Sequence, residues 1–166
     1  MEAGLSLGSN QGNRLGRLRQ AVRRLSAFPG ARILARSRVY ETEPVDVPAA
    51  YRGLSFLNAV VILEWPGSAR ELLGETQAIE VLAGRRRGER HGPRPLDIDI
   101  VYMGAEQVNE PDLTVPHPRA RERRFVLEPL AEVRPALVLP GAGLTVREAL
   151  AALPAGGVVR VCEDVL

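Results

Sequence analysis

Six segments within the first 103 residues of the sequence alternate in hydrophobic period, and their order leaves few ways to fold. "AGLSLGSN" (3–10) reads as a short strand broken by Gly8, and "NRLGRLRQAVRRLSAF" places Leu15, Leu18, Val22 and Leu25 on one helical face over 13–27, stopped by Pro29-Gly30. "ARILARSRVY" (31–40) alternates for most of its length and predicts a second strand. A segment without clear period, 41–53, reads as a loop, and a loop of this length is uncommon in a compact domain unless it binds something. The β-branched run 54–65 predicts a third strand, closed by Pro66-Gly67. Ser68 and Glu71 form a capping box for a second helix, with Leu72, Leu73, Ile79, Leu82 and Ala83 as its inner stripe and Gly84 as its stop. After an arginine-rich loop, "LDIDIVYM" (96–103) gives the fourth strand. The order strand, helix, strand, strand, helix, strand predicts an α+β fold: a ferredoxin-like antiparallel sheet with both helices on one face. A short hairpin strand near 106–109 and helices over about 120–132 and 145–153 then cover the rest, as a single domain spanning 1–166.

No apolar run approaches the roughly 20 residues of a membrane span, and the start "MEAGLSLGSN" lacks the basic and apolar regions of a signal peptide. A soluble cytoplasmic protein is expected, acting as a monomer. Cys162, the one cysteine, has no partner for an internal disulfide and reads as an inert thiol. All 22 basic residues are arginine. The chain therefore has no P-loop lysine, Schiff-base lysine or kinase strand lysine. Any phosphate bound here must be held by guanidinium groups, backbone amides or metal. Between Arg85 and Arg94, five arginines stand against Glu89, a local charge of +4 in a chain whose total is +2.

The fourth strand poses the chemical problem. Asp97 and Asp99 are two residues apart, so they project from one face, roughly 6.5 to 7 Å apart at Cα. Unpaired, they would repel each other and be costly to desolvate. Arginine, a divalent cation or solvent on a wet sheet face can relieve this. The arginine-rich loop immediately upstream carries more charge than two carboxylates need. Mg²⁺ takes oxygen ligands shared with substrate phosphates, so carboxylates, metal and guanidinium groups together point to a nucleotide site. The turn "LGSNQGN" ahead of the first helix can either cradle a phosphate on its amides or be purely structural. His117, fixed between two prolines in a basic segment, can bond a phosphate oxygen.

Five stretches together, "LSLGSNQGN", "VYETEPV", "FLNAVVILE", "GPRPLDIDI" and "LTVPHPRARERRFVLEPLAEVRP", resemble the 6-hydroxymethyl-7,8-dihydropterin pyrophosphokinase family, over about residues 4–153. The resemblance implies transfer of pyrophosphate from ATP to the hydroxymethyl group of a dihydropterin, releasing AMP, in folate biosynthesis. It implies that Asp97 and Asp99 hold two Mg²⁺ ions, and that Arg85 and Arg87 close over the nucleotide. Arg94, His117 and Arg123 correspond to phosphate contacts, and Gln77 and Glu80 to positions beside the nucleotide. On the pterin side, Asn58 would read the amide edge, Phe56 and Phe125 would sandwich the ring, and Thr42 and Val45 would contribute from the loop. His91 stands where the family commonly has an aromatic, and can stack or bond a phosphate.

Two features depart from that pattern: "VDVPAAYRGLSF" lacks the glycine after "PV" and the Gln-Pro pair before the aromatic. Among rival readings, an RNA-binding ferredoxin-like domain needs stacking aromatics. At 4% aromatic content, and with carboxylates on the strand, the chain is poorly suited to that, so no nucleic-acid partner is expected. A different Mg²⁺-dependent phosphoryl-transfer enzyme shares the Asp pair and is separated only by the pterin-side residues. A silent binding module predicts arginine pairing of Asp97 and Asp99 without metal.

Overall fold

The computed structural model describes residues 1–43, 49–51, 53–85, 94–155, 159–162 and 164–166. Its central sheet is antiparallel throughout, in the order β5 (Asp97–Met103), β1 (Glu2–Ser9), β4 (Phe56–Glu64), β3 (Tyr40–Thr42), β8 (Val159–Val161), with β2 (Arg32–Arg36) also paired to β4. With β2 and β3 counted as one interrupted strand, this is the expected ferredoxin-like arrangement. A separate hairpin joins β6 (Val108–Glu110) to β7 (Leu113–Val115).

The alternation along β1 builds two cores. Ala3, Leu5 and Leu7 face α1 (Arg14–Ala27) and α2 (Ala69–Leu82), with Leu18, Val22 and Leu25 of α1 and Leu72 and Ile79 of α2 buried against them. Gly4, Ser6 and Gly8 face the other side. There the Tyr102 ring lies so close that a Cβ on Gly4 would be 2.2 Å from it, so only glycine fits. On that side α3 (Arg124–Val133) and α4 (Val146–Ala152) cover Val60, Ile62 and Val101 with Val126, Leu127, Leu130 and Val146. At about 25 cal/mol per Å² of apolar area removed from water, both faces contribute to stability. No helix among the described residues is long and apolar enough to cross a membrane.

Several elements differ from the sequence reading. The strand expected over 31–40 is broken at Ser37. The Ser37 backbone N–H donates to Val60 O (2.9 Å), while its hydroxyl oxygen accepts from Val60 N (2.9 Å) and donates to Arg38 O (2.7 Å). Side-chain bonds there replace ladder bonds, which periodicity cannot reveal. Glu41 and Thr42, expected in the loop, belong to β3. The helix expected from about 120 begins at Arg124, after a 3₁₀ turn at Ala120–Glu122. In α2 the capping box forms as expected, but Leu82 is 62% exposed. Thr76 and Glu80 occupy the inner face instead.

Candidate active site

The register assembles the site without reference to any ligand. Gly8 pairs with Asn58 on one side and Asp97 on the other, and Asn58 pairs with Tyr40, so these four form one row across the sheet. Ser6 lies between Val60 and Asp99 in the next row, and Thr42 pairs with Phe56 in the row beyond Asn58. Directly paired residues share a face. Asp97, Asp99, Asn58, Phe56 and Thr42 therefore share the face on which α3 and α4 pack against Val60 and Ile62. With strands about 4.8 Å apart, Asp97 and Asn58 stand about 10 Å apart at the backbone.

Arginines pair with the carboxylates from both sides. Arg85 Nη1 and Arg94 Nη1 both donate to Asp97 Oδ1, at 3.2 and 3.1 Å. Arg123 Nη1 lies 3.7 Å and His117 Nε2 3.9 Å from Asp99 Oδ2. Burial, then the Asp97 charge, push the Asp99 carboxyl up to about 6 despite opposition from Arg123, Arg94 and Arg85. A second positive charge at these oxygens is therefore favoured. Among the described residues no third carboxylate, imidazole or thiol joins them in a metal-holding group. A cation here would complete its shell from water and bound phosphate, the manner in which Mg²⁺ is usually held. The donor set, oxygen only and partly exposed, fits that ion.

Glu80 anchors the arginine side. Only 5% exposed, it accepts Ile98 N–H through Oε1 at 2.7 Å and Arg85 through Oε2. It thus joins the end of α2 to the start of β5 and directs Arg85 at Asp97. Burial pushes its carboxyl up to about 7, reinforced by the Asp97 charge and resisted by the Ile98 amide and Arg85. Gln77, one turn earlier on α2, is exposed.

The "GSN" turn has taken a structural role at Ser9 and Asn10. Ser9 Oγ donates to Pro95 O at 2.5 Å. Asn10 Oδ1 accepts Arg94 N–H at 2.6 Å, and Asn10 N–H donates to Arg94 O at 3.2 Å. Both residues are buried, and together they fix where Arg94 leaves the backbone.

His117 is set by its own backbone: its N–H donates to Val101 O (2.8 Å), and Nδ1 accepts Arg119 N–H (3.1 Å). Burial and then Arg123 hold its pKa below the ordinary 6.5. At neutral pH the ring is uncharged and carries its proton on Nε2, the nitrogen facing Asp99, as a donor.

On the other half of the face, Asn58 is 3% exposed and donates from Nδ2 to Thr42 Oγ1. Phe56 and Phe125 are half-buried, and the Arg123 guanidinium lies 5.5 Å from the Phe125 ring centre. Arg123 thus touches both the carboxylate and the aromatic sides. Of the expected site residues, Val45, Arg87 and His91 lie outside the described ones.

Gly8, expected to break the first strand, instead continues β1 and is central to the floor. A Cβ there would meet Asn58 Oδ1 at 3.0 Å and Phe56 Cδ1 at 3.6 Å. The small-residue alternation Gly4, Ser6, Gly8 opposite Ala3, Leu5, Leu7 was the available signal.

Comparison with known proteins bears on what such a face does. The model of the 7,8-dihydro-6-hydroxymethylpterin-pyrophosphokinase family matches residues 4–135. A 2-amino-4-hydroxy-6-hydroxymethyldihydropteridine pyrophosphokinase of Methylorubrum extorquens is 44% identical over 158 residues, 95% of this chain and 96% of that one. The Bacillus subtilis protein of the same name is 43% identical over 129 residues, 78% of this chain and 75% of that one. Among solved structures, Plasmodium falciparum HPPK-DHPS with pteroate superposes with a TM-score of 0.68 at 14% identity. The match covers 90% of this chain and 42% of that one, a likeness of fold.

Proposed function

Because the chain belongs to the 7,8-dihydro-6-hydroxymethylpterin-pyrophosphokinase family, we propose that this sheet face transfers pyrophosphate from ATP to the hydroxymethyl oxygen of 6-hydroxymethyl-7,8-dihydropterin, releasing AMP. The observation that carries this reading is the single row holding Asp97, Gly8 and Asn58. It sets carboxylates suited to a divalent metal, flanked by arginines suited to phosphate, about 10 Å from an amide suited to a heterocycle.

In the mechanism, Asp97 and Asp99 would hold two Mg²⁺ ions, which would supply positive charge against the triphosphate. Arg85 and Arg94, now on Asp97, would turn to the phosphates when the carboxylate is otherwise engaged, supplying charge where the leaving oxygen develops it. The neutral His117 donates Nε2–H to a phosphate oxygen, and Arg123 serves the same group while its plane borders Phe125. Asn58 and Thr42 fix the pterin's polar edge, with Phe56 and Phe125 against its ring. Gln77 and Glu80 flank the nucleotide from the end of α2, Glu80 by directing Arg85. Val45, Arg87 and His91, outside the described residues, are the remaining contacts that the family resemblance implies. Positioning of this kind supplies most of the rate in phosphoryl transfer.

The test is AMP production from ATP and Mg²⁺ with and without the dihydropterin. Pterin-dependent AMP that is lost on Asp97→Ala is expected. Absence of AMP from a folded wild-type protein would overturn the proposal.

A further inference from the structure

The segment after α4 lies beyond residues 4–135, which the family model matches, yet it is fastened directly to the strand that carries Thr42. β8 pairs with β3 in the register Thr42↔Val159, Glu41↔Arg160, Tyr40↔Val161, and Cys162 N–H continues the ladder to Val39 O at 2.7 Å. Side chains repeat the link. Arg160 Nη2 donates to Glu41 Oε1 at 2.6 Å, while Arg14 lies 3.5 Å from Glu41 Oε2. Arg14 Nη1 in turn donates to Ser55 O (3.0 Å) and Ser55 Oγ (2.9 Å), the residue before Phe56. Two further bonds hold the end of the segment down: Arg19 Nε to Val165 O (2.9 Å) and Arg36 Nη1 to Leu166 O (3.1 Å).

β3 is only three residues long. A strand that short, paired on one edge alone, is poorly fixed in position. β8 gives it a second paired edge, and the Arg160–Glu41–Arg14–Ser55 chain connects it to the opposite end of the 43–55 segment. We propose that residues 159–162, with 164–166, are a positioning strap for the pterin half of the site: they hold Thr42 against Asn58 and Ser55 beside Phe56 without touching substrate. This rests on the reading above that Thr42, Asn58 and Phe56 face the pterin. The carboxylates lie at the other end of the sheet order, on β5, so the strap acts on the pterin and leaves nucleotide binding alone.

Because surface ion pairs contribute little individually, the backbone ladder is the element to break. Two variants do so: a chain ending at Ala155, and full-length Cys162→Pro, which removes the N–H bonded to Val39 O. Each is titrated with 6-hydroxymethyl-7,8-dihydropterin in the presence of Mg²⁺ and α,β-methylene-ATP, and separately with the ATP analogue alone. Both variants are expected to weaken pterin binding about tenfold, or about 1.4 kcal/mol, and to leave the analogue's Kd within twofold. Amide hydrogen exchange should accelerate at 40–42 while β1 and β5 stay protected. Pterin affinity within twofold of the intact chain, or equal losses for pterin and nucleotide, would overturn the strap. If the shortened chain does not fold, Cys162→Pro decides by the same values. An intact protein that binds no pterin would refute the functional reading instead, and amide exchange would still judge the strap.

Discussion

Glu80 is a carboxylate buried at 5% exposure between a backbone amide and an arginine, and the stability effect of replacing it by glutamine is small at low pH and grows at high pH. Glutamine keeps an acceptor for Ile98 N–H and gives up only the charged partner of Arg85. Burial, aided by Asp97, raises the folded-state pKa from the ordinary 4.5 to about 7, against the pull of the Ile98 amide and Arg85. With a raised folded pKa, the group's stability is fully present below 4.5 and is lost as pH rises through about 7. That rise corresponds to an upper limit of about 3 kcal/mol. At pH 5, just above the unfolded value of 4.5, glutamine should be favoured by no more than about 1 kcal/mol. By pH 8.5 Glu80→Gln should be the more stable by about 1 to 3 kcal/mol, or roughly 2 to 10 °C in Tm for a domain of this size. Glu80→Ala, which leaves Ile98 N–H without an acceptor, should be destabilised by about 1 to 3 kcal/mol at pH 5. Urea unfolding at half-unit pH steps between 5 and 8.5 reads all three proteins. A Glu80→Gln variant less stable than wild type at pH 8.5 by 1 kcal/mol or more would show that the Arg85 pairing outweighs burial, contrary to the argument.

Three further predictions use other parts of the site and frame. Gly8→Ala puts a Cβ 3.0 Å from Asn58 Oδ1, displacing the amide; it should raise the KM for pterin about tenfold or more with little change in the KM for ATP, measured by steady-state kinetics. Asn10→Ala removes the acceptor of Arg94 N–H and should lower kcat more than it lowers Tm, read by parallel activity and thermal melts; an unchanged kcat would refute a positioning role. Glu2 is held below the usual carboxylate range by its Arg134 hydrogen bonds, with Tyr102 assisting, so its contribution is present above pH 4.5 and lost as pH falls. At about one-third exposure the effect is small: Glu2→Gln should cost under about 1 kcal/mol at pH 7 and nothing at pH 3, by urea midpoints.

The order of elements was legible because period and punctuation act locally: the Ser68–Glu71 capping box and the Gly84 stop formed as read. The Asp97–Asp99 pair was equally legible, since strand period alone puts both on one face. What was not legible depends on partners distant in sequence. Ser37 interrupts a strand through bonds to Val60, 23 residues away. β8 exists because β3 offers it an edge, and its three residues carry too little pattern to announce a strand. Glu80 broke the expected apolar stripe and displaced Leu82 to the surface, because α2 turns toward the start of β5 the face that must meet Ile98 N–H. Gly8 was read as a strand breaker, whereas its missing side chain is the floor of the site.

Movement of a diphosphate, rather than a single phosphoryl group, onto a pterin is what separates the proposed reaction from other phosphoryl transfers. Phosphorus NMR of the completed reaction with ATP, Mg²⁺ and 6-hydroxymethyl-7,8-dihydropterin tests it most directly. AMP is expected together with a new diphosphate ester carrying two coupled resonances, formed in equal amounts and abolished by Asp97→Ala. ADP with a pterin monophosphate, or AMP released without any pterin ester, would contradict it.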